Sequence, residues 1–371
     1  MELGIPRERG LQAGFAEKRV GLSPAGIEEL TSAGARVFVE SGAGKEAGFS
    51  DEEYASAGAE VVFSADEVYG RSRVIVKVGQ PQPEVWDCFR ERQLLMGFLH
   101  LAVTPGRLLN VLLEREISAV GYEIVRDVHG RLPILTPMSQ IAGKMAVQTA
   151  GRLLESEAEG RRGILLGGIP GVPPADVVIL GGGTLGTSAA RAFVGVGAKV
   201  HIMDVDHDRL HELDKEFRGR VVTVSYSKRA LRSLLSFADI LLCAVLVPGE
   251  RSPRLVTKSM VGMMRPGSVI MDFSIDHGGC VETSRPTPGP SQVYTHEGVV
   301  HFAVPNLPSW VARTATHALT GSLIPYLRPH ADKTWEGVLE ASPDLREGLY
   351  TYGGRIVHRS LGGPGIENTS L

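Results

Sequence analysis

Three glycines, spaced Gly181-x-Gly183-x-x-Gly186, follow directly on the apolar run Asp176-Val-Val-Ile-Leu180, and a small-residue helical pattern starts behind them. A second apolar run, Ala198-Lys-Val-His-Ile-Met203, ends on Asp204. Strand, tight turn, helix, strand and acid come in the order a dinucleotide fold requires. Gly181 can take the turn, Gly183 lets backbone approach a pyrophosphate, and Gly186 lets the helix lie close to the sheet. Thr184 and Leu185 then open a helix whose free N–H groups meet phosphate charge without a lysine. Asp204 can accept both ribose hydroxyls of an adenosine and repels a 2′-phosphate, so NAD is preferred over NADP. Arg209 stands near enough in sequence to soften that preference. The bland alternative is a glycine-rich turn that binds no nucleotide, and the register of loop and acid weighs against it. Asp206 and Asp208 read equally as helix-starting or surface residues.

Four further side chains could handle a small polar substrate. His100 closes the apolar run Leu94–Leu99, and an imidazole with an ordinary pKa of about 6.5 exchanges protons close to neutrality. Asp276 follows the run Ser268–Phe273 and stands beside Gly278-Gly279. Lys77 follows Val74-Ile-Val76, a rigid place for a cation, and Arg19 could grip a carboxylate with two parallel charged bonds. On sequence alone Arg19, beside Glu17 and Lys18, reads better as a solvated loop charge. Lys77 reads equally as a β-edge charge, His100 as a satisfied core histidine and Asp276 as a turn-capping acid. No metal site is indicated: His207/His211 is a lone i,i+4 pair on a charged face, and His201, His296 and His301 lack a ligand set.

The elements that must position these residues alternate between strand and helix. Ser23 reads as an N-cap with Pro24 at the first helical position. Ala35–Val39, Val74–Val78, Leu94–Leu99 and Ser118–Glu123 read as strands, with helices at Asp51–Gly58 and Leu108–Glu116. A long helical pattern from Ser139 to Glu159 carries Ala142, Ala146 and Ala150 on a small-residue face and suits an interdomain connector. Beyond the glycine loop, Val221–Ser225, Asp239–Val247 and Ser268–Phe273 read as strands and Lys228–Phe237 as a helix. Helical patterns return at Val311–Tyr326 and Thr334–Leu339, and the tail is expected to pack back on the first domain. Gly353–Leu371 reads as an extended or partly mobile terminus. Successive βα units predict doubly wound, mainly parallel sheets.

Bulk composition narrows the function class. A chain of 371 residues is long enough for two domains, and 43% hydrophobic with 22% charged residues suits a folded soluble protein. A net charge of -3 offers no global attraction to nucleic acid or acidic membrane. Cys88, Cys243 and Cys280 form no CxxC pair, which argues against a disulfide scaffold; Cys243 sits in an apolar run as a small buried hydrophobe. No apolar run reaches the length of about 18 residues that a spanning helix needs. A cytoplasmic enzyme fits these features, with no nucleic acid or membrane partner.

Motifs over nearly the whole chain carry a family resemblance. They are Gly4-Ile-Pro-Arg-Glu8, Lys18-Arg-Val-Gly-Leu-Ser-Pro24, Phe98-Leu-His-Leu-Ala102, Pro137-Met-Ser-Gln-Ile-Ala-Gly143, Gly167-Gly-Ile-Pro-Gly-Val172, Ala244-Val-Leu-Val-Pro-Gly249, Ser274-Ile-Asp-His-Gly-Gly279 and Ser284-Arg-Pro-Thr287, beside the glycine loop. The chain resembles alanine dehydrogenases, which are related to the soluble nucleotide-binding part of proton-translocating transhydrogenase. The resemblance implies an α/β fold of two doubly wound Rossmann-like domains. Residues 1–138 and 309–371 would form the catalytic domain, and residues 139–308 an inserted NAD-binding domain. It implies reversible NAD-dependent deamination of L-alanine to pyruvate and ammonia, in a homo-oligomer, usually a hexamer. Arg19 and Lys77 would hold substrate carboxylate and carbonyl, and His100 with Asp276 would be the catalytic pair. Ser139, Asp204, Val245, Leu246 and Asn306 would contact the cofactor, as would the loop residues Gly181, Gly183, Thr184, Leu185 and Gly186 and the nearby Arg209.

The chemistry suits those types. His100 can take a proton as amine becomes iminium, and Asp276 can orient water or steady the iminium charge. Hydride transfer needs proximity and exclusion of water rather than a protein nucleophile, so a cleft between domains is expected, with hinges near Ser139–Glu159 and Asn306–Trp310. Two motifs depart from the family pattern: its usual Lys-Glu-Pro stands here as Gly79-Gln80-Pro81, and its Asn-Met-Pro as Asn306-Leu307-Pro308. Both spare the proposed catalytic side chains and bear on substrate side-chain preference, which leaves another small amino or imino acid as an alternative substrate. A non-catalytic NAD-binding, transhydrogenase-like module is the alternative of a different class.

Overall fold

The computed structural model describes residues 1–10, 17–103, 106–156, 160–287 and 293–365. It divides into two compact units. The first comprises Met1–Met138, Pro248–Glu250 and Pro308–Leu371; the second comprises Ser139–Val247 and Arg251–Leu307. The strands of the first unit begin with β1 (Glu2–Ile5), β2 (Arg36–Glu40), β3 (Glu60–Val62), β4 (Val74–Val76), β5 (Leu94–Gly97) and β6 (Ser118–Gly121). The second unit supplies β7 (Asp176–Leu180), β8 (Lys199–Asp204), β9 (Val221–Ser225), β10 (Ile240–Cys243), β11 (Val269–Asp272), β12 (Tyr294–His296) and β13 (Val299–Phe302). The chain then returns to the first unit with β14 (Leu349–Tyr352) and β15 (Arg355–Ile356).

Both sheets share one winding. In the first unit the order is β15-β14-β6-β5-β4-β1-β2-β3, and in the second β12-β13-β11-β10-β7-β8-β9. Read from β3 to β6, and from β9 to β13, each is a six-stranded parallel core wound outward in both directions from its first strand, the doubly wound arrangement. Antiparallel strands are added only at one edge, β14 and β15 in one unit and β12 in the other. The strand residues explain the burial. Val74–Val76, Leu94–Gly97 and Ile240–Cys243 are buried throughout, as apolar runs covered on both faces must be.

Several boundaries differ from the sequence reading for local reasons. Strands β4 and β5 stop before Lys77 and His100, which stand in the following connections. The long helix runs Leu135–Leu154 and starts a turn before Ser139. Pro137 is its third residue, where the missing N–H would have no intrahelical partner anyway. Residues 157–159, the expected end of that helix, lie outside the described residues. Gly143 explains the small-residue face: a Cβ there would fall 2.6 Å from the Leu185 carbonyl oxygen, so this helix lies against the one that follows the glycine loop. Ser23 precedes the helix Pro24–Ser32, but its side chain makes no capping hydrogen bond; its backbone N–H donates to the Thr320 hydroxyl at 2.9 Å instead.

The expectation of a loose terminus is corrected as far as Gly365. Strand β15 pairs with β14, a 3-10 turn spans Arg359–Leu361, and Gly365 N–H donates to the Val357 carbonyl at 2.9 Å. Backbone pairing overrides the polar composition that suggested mobility; residues 366–371 lie outside the described residues. Strands β1 and β3 and the helix Ala65–Arg71 escaped sequence reading, the strands because they are three or four residues long and too short for a period to register. Among the described residues no helix is long and apolar enough to cross a membrane.

The returning strand β14 is also held by a side chain. The Tyr350 hydroxyl donates to Glu123 Oε1 at 2.8 Å, with Tyr350 0% and Glu123 1% exposed. Tyr350→Phe removes a donor from a buried carboxylate and is expected to cost about 1–3 kcal/mol. Urea unfolding should show this as a lower midpoint with an unchanged slope; an unchanged midpoint would refute the role given to this bond.

Candidate active site

In the second unit the glycine loop joins β7 to the helix Thr184–Gly195. Gly181 has a φ of +103°, and a Cβ on it would stand 2.6 Å from the Ala244 carbonyl oxygen. A Cβ on Gly186 would fall 1.9 Å from the Gly181 carbonyl oxygen, so no other residue fits the present turn. A Cβ on Gly183 meets no atom within 4 Å, which marks the open side of the loop. Gly183 is the helix N-cap and no side chain caps it, which leaves first-turn N–H groups of Thr184, Leu185 and Gly186 for an anion.

Asp204 does two things at once. Its Oδ2 accepts from Gly182 N–H at 2.6 Å and its Oδ1 from Asp206 N–H at 3.0 Å. The carboxylate therefore staples the loop to the end of β8 while keeping lone pairs for further donors. Arg209 is engaged with the same loop: Nε donates to the Gly182 carbonyl, Nη2 to Thr187 Oγ1 and Nη1 to Glu212, each at 2.7 Å.

The sheet order sets the remaining sequence-expected residues of this unit in a row. Asn306, Asp276, Val245 and Gly181 follow the carboxyl ends of β13, β11, β10 and β7, and Asp204 ends β8; these strands are successive neighbours. Val245 N–H donates to Ser274 Oγ at 3.1 Å, and that hydroxyl donates to the Val245 carbonyl at 2.8 Å, which ties the β10 and β11 connections together. Leu246 is the next residue of that tied connection and is half-buried. Asn306, with a φ of +52°, directs its N–H at Asp276 Oδ1 at 3.2 Å. Ser139 lies one turn into the long helix, half-buried.

The first unit builds a second row in the same way. Glu123, His100, Lys77 and Glu8 follow the carboxyl ends of β6, β5, β4 and β1, again successive neighbours. Lys77 Nζ donates to Glu8 Oε2 at 2.9 Å, and Val78 N–H to Glu8 Oε1 at 2.7 Å. Both side chains of this ion pair are 3% exposed. Arg19 is gripped by Glu17 through Nε and Nη2, each at 2.7 Å, and its Nη1 reaches Met138 Sδ at 3.3 Å. Burial thus excludes the solvated-charge reading of Arg19, and the place of β4 inside the sheet excludes the β-edge reading of Lys77. A Cβ on Gly21 would stand 2.5 Å from the Val76 carbonyl oxygen, so the Arg19 segment passes close over the end of β4.

His100 has a φ of +44°, unusual for a residue with a Cβ. The Glu123 carboxylate secures that conformation by accepting from His100 N–H at 2.6 Å and Leu99 N–H at 3.2 Å. The ring stacks on Phe98, whose face also lies 6.0 Å from the Arg19 guanidinium. Burial, and secondarily the Arg19 charge, holds the His100 pKa down to about 4. Burial pushes Glu8 up, against the opposing pull of Lys77 and the Val78 N–H.

Sequence reasoning missed Glu8, Glu17, Glu123 and Tyr350. The available signals were slight: Glu17 lies two residues from Arg19, and Glu8 closes the motif Gly4–Glu8. The expected pair His100 and Asp276 is divided between the units. The histidines set aside as metal ligands have ordinary partners: His207 bonds the Ser225 hydroxyl at 3.3 Å and His301 that of Thr283 at 2.7 Å.

Comparison with known proteins bears on both rows. The family models described as "Alanine dehydrogenase/PNT, N-terminal domain" and "Alanine dehydrogenase/PNT, C-terminal domain" match residues 4–142 and 146–359. The chain belongs to the alanine dehydrogenase/PNT family. Alanine dehydrogenase of Methanococcus maripaludis is 42% identical over 97% of this chain and 95% of its own length. A solved L-alanine dehydrogenase is 44% identical with a TM-score of 0.88, covering 97% of this chain and 98% of that one. A transhydrogenase from Sinorhizobium meliloti, 23% identical with a TM-score of 0.78 over 96% of this chain and 99% of its own, shares the fold. As a member of the alanine dehydrogenase/PNT family the chain has a Rossmann-like NAD-binding domain, and the loop geometry fits that cofactor.

Two outcomes follow for this family member. Gly186→Ala is expected to cost about 1–3 kcal/mol through the carbonyl clash and to weaken NADH binding by on the order of tenfold or more, read by fluorescence titration. Native-like affinity would refute the close-packed loop. Because folding lowers the His100 pKa from 6.5 to about 4, the unfolded chain binds the proton first as pH falls. The stability linked to neutral His100 is full above about pH 6.5 and is lost progressively toward pH 4. His100→Gln should flatten that part of the stability–pH profile in urea titrations; an unaltered slope would count against the buried neutral ring.

Proposed function

We propose that the chain is an NAD-dependent L-alanine dehydrogenase, which deaminates L-alanine reversibly to pyruvate and ammonia. The observation that carries the reading is the pair of buried cations Arg19 and Lys77 beside neutral His100, in a chain with full-length likeness to alanine dehydrogenases. Residues 1–138 with 309–371 would form the substrate domain and residues 139–308 the NAD domain.

When bound, NAD supplies the hydride acceptor for the substrate Cα. The loop N–H groups of Thr184, Leu185 and Gly186 would hold its pyrophosphate, Asp204 its adenosine ribose, and Ser139, Val245, Leu246 and Asn306 would complete its contacts. Arg19, whose fork Glu17 orients, receives the substrate carboxylate in a site with little water, where charge-assisted bonds are strong. Lys77 polarises the substrate carbonyl oxygen or stabilises the oxygen of the water adduct. His100, neutral at pH 7, takes a proton as amine becomes iminium and as water adds to it, and returns one as ammonia leaves. Asp276 steadies the cationic iminium. A cytoplasmic homohexamer is part of the proposal.

Pyruvate, ammonia and NADH should support rapid NADH loss, in preference to NADPH. His100→Ala is expected to lower turnover about 10²–10⁴-fold while NADH binding persists; full activity would remove His100 from proton transfer. In a panel of keto acids, an inert pyruvate beside another active acid would overturn the alanine assignment. A native mass other than six chains would overturn the hexamer.

A further inference from the structure

We infer that Cys243, Asp272 and Cys280 form a binding site for a thiophilic divalent ion of the zinc and cadmium class. Cys243 and Asp272 end β10 and β11 and are directly paired across these parallel strands. The chain leaves β11, turns through Gly278 and Gly279, with φ of +94° and +79°, and brings Cys280 back beside them. The two sulfurs and a carboxylate oxygen lie within 4.8 Å of one another, and all three residues are buried. Zinc holds thiolate sulfur at about 2.3 Å, which places two sulfurs of a tetrahedral site about 3.8 Å apart. The three donors therefore need only a small contraction around one ion.

The donor chemistry selects the ion. Two sulfurs with one carboxylate suit a soft or borderline d10 cation rather than magnesium or calcium. Asp272 is preorganised: its oxygens accept from Ser274 N–H at 3.1 Å, Cys280 N–H at 3.1 Å and Val281 N–H at 3.3 Å, which leaves a lone pair for a metal. The Ser284 hydroxyl lies beside the same carboxylate and could offer a fourth donor atom. On binding, two S–H bonds break and two metal–sulfur bonds form. Two protons pass to solvent and no electron is transferred. An ion there would tie the start of the β10 connection, where the Ala244 carbonyl lies over Gly181, to the loop that carries Asp276. The 37-residue separation between the cysteines gives no motif spacing, so nothing in the sequence pattern announces the site.

The test is a cadmium titration of the intact chain, read by the ultraviolet thiolate-to-cadmium charge-transfer band. One ion per chain should saturate the band and, at a hundredfold excess over its dissociation constant, raise the unfolding midpoint by about 5 °C. EDTA should reverse both. Cys243→Ala and Cys280→Ala should each abolish the band, whereas Cys88→Ala should keep it. Absence of a band in the native chain, or its persistence in both core variants, overturns the site. Mapped alkylation of the native chain gives a second measurement that needs no variant to fold. Labelling of the buried Cys243 and Cys280 requires transient opening of the fold, so cadmium should slow it at these two but not at Cys88, and equal rates with and without cadmium overturn the inference.

Discussion

Right-handed crossovers on a parallel sheet force neighbouring connections apart where the winding reverses, and this constraint governs both units. In the second unit the reversal lies between β7 and β10, where Gly181 meets the Ala244 carbonyl. In the first it lies between β1 and β4, where Glu8 meets Lys77. The same topological gap is lined once by bare backbone suited to phosphates and once by buried charge suited to a small zwitterion or keto acid. The difference in chemistry comes from side chains; the place where it happens comes from chirality of the chain.

Buried charge is expensive, so the first unit compensates it locally. Glu8 faces Lys77 and Glu17 faces Arg19, giving two ion pairs whose formal charges cancel, each well bonded. Removing either carboxylate would leave a cation in a dry site, which explains why carboxylates that touch no proposed reacting atom are built into the row. Glu123 works differently: it satisfies the strained backbone at His100 rather than a cation. Its partner Tyr350 comes from the far end of the chain, so the conformation of a residue near position 100 depends on a strand that forms only when the tail returns.

Much of this was legible in the residue order. The glycine loop, Asp204 and the apolar strands of the second unit are local signals, because each depends on spacing over a few residues. The β–α alternation of the first unit was also readable, as was His100 just beyond a strand end, whereas Lys77 was read inside a strand that stops at Val76. What remained hidden is non-local. Glu8 and Glu123 become partners of Lys77 and His100 only because β1 lies beside β4 and β6 beside β5. Burial likewise had to be seen to separate a solvated Arg19 from a buried, oriented one. The tail misled because a polar, glycine-rich stretch hides the backbone pairing of β15 to β14.

The double engagement of Asp204 couples two properties that are usually treated as independent. The carboxylate proposed to disfavour a 2′-phosphate also anchors Gly182 N–H, and Arg209, a nearby cation, is bound to the Gly182 carbonyl. Substituting the acid to admit NADP would therefore release the very turn that must cradle the pyrophosphate. With Asp204 in its proposed role, cofactor preference is mechanically tied to loop shape, and any drift toward the other dinucleotide has to replace the staple before it replaces the charge.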